Sequence, residues 1–156
     1  MTSAVRIALL ADHPEALSTV ASWEQAEWGH LMPDVSLEQI THAFERRANR
    51  DHVPITLLGY KGEELVGTAS LVIHDMSIHR DLSPWLAIVY VDPPHRGAGY
   101  GSALVRGVMD RASDLGFGQV YLFTPDQMAF YRRLGWEVLE RVDYRGERVA
   151  VMVCQV

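Results

Sequence analysis

Residues 90–105 read YVDPPHRGAGYGSALV: a hydrophobic run enters two prolines, an arginine and three alternating glycines before a helical pattern begins. A junction so poor in side chains makes the backbone itself the working surface. A helix N-terminus carries N–H groups without intrahelical partners and a partial positive charge, so it attracts anions. Gly97, Gly99 and Gly101 remove the Cβ atoms that would hold a ligand away and permit positive φ, so that the amides of Gly97, Ala98, Gly99, Tyr100, Gly101 and Ser102 can converge into a nest. Arg96 can add charge-assisted hydrogen bonds to the same anion. The plain alternative is a glycine turn that joins strand to helix and binds nothing.

Two common phosphate sites are excluded by what is missing. A P-loop needs Gly-Lys-Ser/Thr at the helix start, and this chain has Tyr100-Gly101-Ser102. The dinucleotide fingerprint also fails, because Ser102 stands where the third glycine belongs and no acidic residue closes the next strand. The candidates for moving a proton are Glu24, Glu27, His74, Asp75 and His79. On a helical wheel Glu24 falls within the stripe of Leu17, Val20, Ala21 and Trp28, whereas Glu27 lies off it. A carboxylate on an apolar face either lines an amine pocket, with the Trp28 ring facing a cation, or marks the helix margin where solvent returns. No spacing of His, Asp and Glu points to a metal site. Cys154 lies in an alternating strand beside Ala150 and Met152 and reads as a core residue, not an acyl carrier.

These residues must be positioned by a mixed α/β chain. "VRIALLA" (5–11) predicts a strand, 14–29 a helix, and Ser36 with Gln39 a capping box opening a second helix. Residues 54–75 predict a hairpin turned at 61–64, and 83–91 a further strand. Leu104, Val105, Val108, Met109, Ala112 and Leu115 recur at helical spacing over 99–115. A strand at 119–123, a short helix at 125–135 and a closing hairpin turned at Arg145 and Gly146 complete the order β-α-α-β-β-β-α-β-α-β-β. On the short helix Phe130 and Leu134 share the expected core stripe, which turns Tyr131 about 100° away from it.

With 156 residues, 48% hydrophobic and 22% charged, the chain fits one soluble domain over 1–156. Its 14 basic against 20 acidic residues give a net charge of -6, which opposes nucleic-acid binding and suits a cationic substrate. A single cysteine, no leader pattern and no long apolar run lead to the expectation of a cytoplasmic protein that does not enter membranes.

"HRGAGYGSALV" carries R-x-x-G-x-G, with Arg96, Gly99 and Gly101 in the defining places, and thereby resembles the GNAT superfamily of N-acetyltransferases. "LAIVYVDP", "TPDQMAFYRRLGW" and the order of elements extend the resemblance over the whole chain. It implies a mixed, mostly antiparallel sheet with two splayed parallel strands and flanking helices. It also implies acetyl-CoA as co-substrate and no metal: the pyrophosphate lies on residues 97–102, Thr124 joins the cofactor contacts, and the pantetheine arm pairs with the main chain at Tyr90 and Val91, as an added strand would. The Val91 N–H faces the thioester oxygen, and Tyr131 is the acid for the departing sulfur. Family members often carry a Glu before the glycine motif, and "PWLAIVYV" has none, so the base stays open, with Glu24 as a base or amine contact beside Trp28. The activity implied is direct transfer of acetyl to a primary amine, on a small molecule or a peptide N-terminus. A non-catalytic acyl-CoA-binding or sensor module of the same fold is the alternative. Exposed edges of such a sheet offer a route to a homodimer.

Overall fold

The computed structural model describes residues 5–156. Among these residues eleven α-helices and strands follow one another in the expected order: β1 (Arg6–Leu9), α1 (Leu17–Trp28), α2 (Leu37–Arg46), β2 (Ile55–Lys61), β3 (Glu64–Val72), β4 (Trp85–Val91), α3 (Tyr100–Asp114), β5 (Gln119–Thr124), α4 (Met128–Arg133), β6 (Glu137–Tyr144) and β7 (Glu147–Gln155). The sheet order is β1-β2-β3-β4-β5-β7-β6, antiparallel throughout except between β4 and β5.

Period-two alternation gives the sheet two buried faces. Leu57, Leu71, Leu86 and Leu122 turn to one face and meet Leu104, Val105, Val108 and Ala112 of α3, together with Tyr131 and Trp136. Leu58 and Tyr60 turn to the other, under Val20 and Ala21 of α1 and Ile40 and Phe44 of α2. Farther along that second face Val72, Trp85, Ala87, Tyr121 and Val151 pack beneath Met76, in the connection between β3 and β4. This connection is tied to β6: the Ser77 N–H donates to the Tyr144 hydroxyl at 3.1 Å, and His79 pairs with Glu140.

Several expected boundaries shift. The first strand stops at Leu9 because the chain turns through a 3-10 segment at Leu10–Asp12 that buries Leu10. The Ser36–Gln39 capping box forms in both directions, at 3.1 and 2.8 Å. The short helix expected over 125–135 covers only Met128–Arg133, because the Thr124 hydroxyl accepts from the Gln127 N–H at 3.0 Å and holds 125–127 as a turn. Among the described residues no helix is long and apolar enough to cross a membrane, and no group of three His, Cys, Asp or Glu could hold a metal ion.

Candidate active site

β4 and β5 are paired at one position only. Trp85 faces Tyr121, whose N–H donates to the Pro84 carbonyl at 3.0 Å, and no ladder continues beyond. Yet β4 runs on to Val91 and β5 to Thr124, each paired on its outer side with β3 and β7. The two parallel strands diverge and leave main-chain groups unpaired along a slot, which is where an amide-bearing chain can add.

A bulge redirects β4 just where the slot opens. Between the pairs Ser70↔Ala87 and Thr68↔Tyr90, β4 advances three residues against two on β3, so β4 carries one extra residue. Ile88 absorbs it at φ 55°, a left-handed conformation that β-branched residues avoid and that costs on the order of 1–3 kcal/mol. The residue types here read as an uninterrupted strand, and nothing in the sequence announced this bulge.

At the top of the slot the chain turns through Pro93–His95, then through Gly97 at φ 83° and Gly99 at φ 87°, into α3. No atom lies within 4 Å of where a Cβ would stand on either glycine, so the cradle is open on that side. The first helical bond runs from the Ala103 N–H to the Gly99 carbonyl, so the N–H groups of Tyr100, Gly101 and Ser102 precede the helical ladder. Arg96 folds back onto the strand end: its Nε donates to the Val91 carbonyl at 2.8 Å and its guanidinium lies 5.3 Å from the centre of the Tyr90 ring. The Tyr90 ring in turn packs at 5.2 Å from Trp23 and edge-on at 6.3 Å from Trp28. Trp28 therefore serves as a wall against β4, and Trp23, which the helical wheel did not single out, shares that wall.

Tyr131 is oriented differently from the expectation. It is the buried residue of α4, 8% exposed, and packs edge-on at 6.0 Å from Trp136, while Phe130 and Leu134 are only half-buried. With six residues α4 is too short for its own stripe to decide its orientation, and the fully buried Trp136 just beyond it does so instead. Burial, with a smaller contribution from Asp126, pushes the Tyr131 phenol up to about 12.

On the opposite face a cavity of about 250 Å³ opens between α2 and the start of the β3–β4 connection, lined by Arg46, Arg47, Val72, His74, Asp75 and Ala87 among others. Ala87 is the residue just before the bulge, so the cavity reaches β4 where the slot begins. Glu24 is buried on α1, as its place in the apolar stripe implied, and faces Arg47 at 3.8 Å. Burial raises the Glu24 carboxyl despite this ion pair, which at 3.8 Å is too long to be a hydrogen bond. Burial also lowers the Arg47 guanidinium, whose Nη1 is enclosed without a hydrogen-bond partner. Asp75 completes the cluster. The residue is half-buried where it lines the cavity, and desolvation pushes its carboxyl up to about 7 against the pull of Arg47 and Arg145, with Glu24 adding to the rise. Of the other proton-transfer candidates, Glu27 is exposed and His79 is engaged by Glu140, while His74 lines the same cavity as Asp75 with its side chain exposed.

Slot and glycine cradle together offer unpaired main-chain groups to an amide-bearing arm and backbone N–H groups to an anion. The family model described as Acetyltransferase (GNAT) family matches residues 12–136, and the chain belongs to that family. It is 30% identical over 135 residues to N-alpha-acetyltransferase 80 of Mus musculus, a match that covers 83% of this chain and 40% of that protein. Among solved structures it superposes on an aminoglycoside 6'-acetyltransferase type Ii with a TM-score of 0.75 at 19% identity, covering 96% of both chains. A putative acetyltransferase from Salmonella typhimurium, solved with its cofactor acetyl-CoA, gives a TM-score of 0.70 at 19% identity, covering 97% of this chain and 94% of that one.

Proposed function

We propose that the chain moves an acetyl group from acetyl-CoA to a primary amine by direct attack within a ternary complex. The observation that carries this reading is the single pairing between β4 and β5, which leaves a slot running up to the glycine cradle. In this reading the amides of Gly97 to Ser102 hold the diphosphate, Arg96 flanks it, and the pantetheine arm runs along the slot past Val91 and Thr124; the Tyr90 carbonyl, turned toward β3, is not among its partners. The amine nitrogen bonds to the thioester carbon as the carbon–sulfur bond breaks. The Val91 N–H stabilises charge developing on the thioester oxygen, and Tyr131 gives its proton to the leaving sulfur. The proton of the amine goes to Asp75, the member of the carboxylate–guanidinium cluster that lines the cavity. Glu24 is assigned to holding Arg47. Similarity to an N-alpha-acetyltransferase favours a peptide N-terminus as the acceptor, although this chain spans only 40% of that relative.

Thiol release from acetyl-CoA, measured across peptide N-termini, aminoglycosides and small primary amines, tests the reading. The expected result is turnover with at least one peptide and a fall of about 100-fold in kcat for Tyr131→Phe. Saturable CoA binding with no thiol release from any amine would instead identify a sensor module. Unchanged turnover in Tyr131→Phe would remove the acid assignment.

A further inference from the structure

Gly67 on β3 faces Val91 on β4. A Cβ placed on it would stand 2.8 Å from the Tyr90 carbonyl oxygen and 2.8 Å from Leu104 Cδ1 of α3. At every other glycine of the chain the nearest such contact is 3.2 Å or longer. Gly67 does not have positive φ, so what it supplies is space. Its missing methyl lets the Tyr90 carbonyl lean into the junction of β3, β4 and α3, immediately after the bulge.

The Tyr90 carbonyl and the Val91 N–H belong to one rigid peptide plane and point in opposite directions. Because the carbonyl leans over β3, the N–H is directed away from β3, toward the slot. A methyl at Gly67 cannot displace a backbone oxygen without turning that plane, and turning it swings the N–H. We propose that Gly67 is a positioning residue that aims the Val91 N–H at the thioester oxygen. The inference rests on the acetyl-CoA reading of the slot given above.

Four variants separate this role from simple packing. Gly67→Ala retains its hydroxyl-free, small character but adds the offending methyl; it is expected to lower kcat by roughly 10-fold or more, since oxyanion donors must lie within a few tenths of an ångström of their target. Its Kd for CoA, which lacks the thioester oxygen, stays within about three-fold of wild type. Gly59→Ala is the control: its Cβ also meets Leu104, at 3.4 Å, but no atom of β4, and kcat stays unchanged. Should Gly67→Ala fold poorly, Gly67→Ala/Leu104→Val relieves the helix side of the clash and leaves the carbonyl side. It is then compared with Leu104→Val alone. A double variant still about 10-fold slower than Leu104→Val supports the inference. Restoration to the Leu104→Val rate shows that the glycine serves helix packing alone and overturns it, as does a folded Gly67→Ala with wild-type kcat. A wild-type chain that binds no CoA would remove the reading beneath the inference, and the inference with it, which a CoA titration reveals before any variant is made.

Discussion

Tyr131 and Asp75 are both driven toward their neutral forms by burial, and that serves the two groups in opposite ways. A phenol raised to about 12 keeps its proton through any ordinary assay, so as an acid it imposes no alkaline limb on the rate. Asp75 accepts a proton only when ionised, so kcat should rise with pH through about 7. Asp75→Asn is expected to lose that rise and to fall by about 100-fold at pH 8. Its stability moves the other way. Between the usual carboxylate range and about 7 the folded chain holds a proton that the unfolded chain has released, so the wild type loses stability as pH rises across that interval. The Asn variant has no such loss and should melt higher than wild type at pH 8, with a smaller difference at pH 5. A variant that is slower and no more stable at pH 8 would mean that desolvation beside Arg47 and Glu24 does not hold the Asp75 carboxyl neutral. Glu24 and Asp75 were both legible as candidates by residue type, but their convergence on Arg47 was not, because the three come from separate elements.

At the scale of elements, strands and helices were legible because side-chain periods of two and 3.6 are set locally by which face is buried. What escaped was set by tertiary packing and not by local period: the turn of Leu10 into the core, the burial of Tyr131 against Trp136, and the bulge at Ile88. The cradle was legible because its requirement is written in residue type, and its three glycines do different work. Gly97 and Gly99 have positive φ, whereas Gly101 does not. A Cβ on Gly101 would make ordinary contacts, 3.6 Å to Phe130 and 3.7 Å to Val91, where the cradle meets the slot. Gly99→Ala should therefore lose both stability, by about 1–2 kcal/mol for a left-handed L-residue, and CoA affinity. Gly101→Ala lies within α3 and should hold or raise the melting temperature, since Ala favours a helix by about 1 kcal/mol over Gly, while its methyl obstructs the ligand. Melting curves and CoA titrations of the pair check this. Equal losses of stability in both would mean that Gly101 is needed for the fold and not for the ligand.

At the scale of the whole molecule the sheet is two units, β1–β4 and β5–β7–β6, joined in the ladder only at Trp85 and Tyr121. Elsewhere they are held by the core beneath α3 and by the ties of Ser77 and His79 to β6. An amide-bearing arm added along the slot would supply hydrogen bonds that the protein withholds from itself, so the ligand would complete the sheet. Binding to the folded chain alone at about 100 times Kd is worth about 2.7 kcal/mol, or about 5–10 °C in melting temperature for a domain of this size. That rise would follow from any tight site; where protection from hydrogen exchange appears separates the possibilities. If the arm lies in the slot, CoA slows exchange at amides of 86–91 and 122–124 as well as at 97–102, because both free strand edges become paired. Protection confined to 97–102 would mean that the cradle holds the diphosphate while the arm lies elsewhere. Tyr131 and Val91 would then have no thioester to act upon.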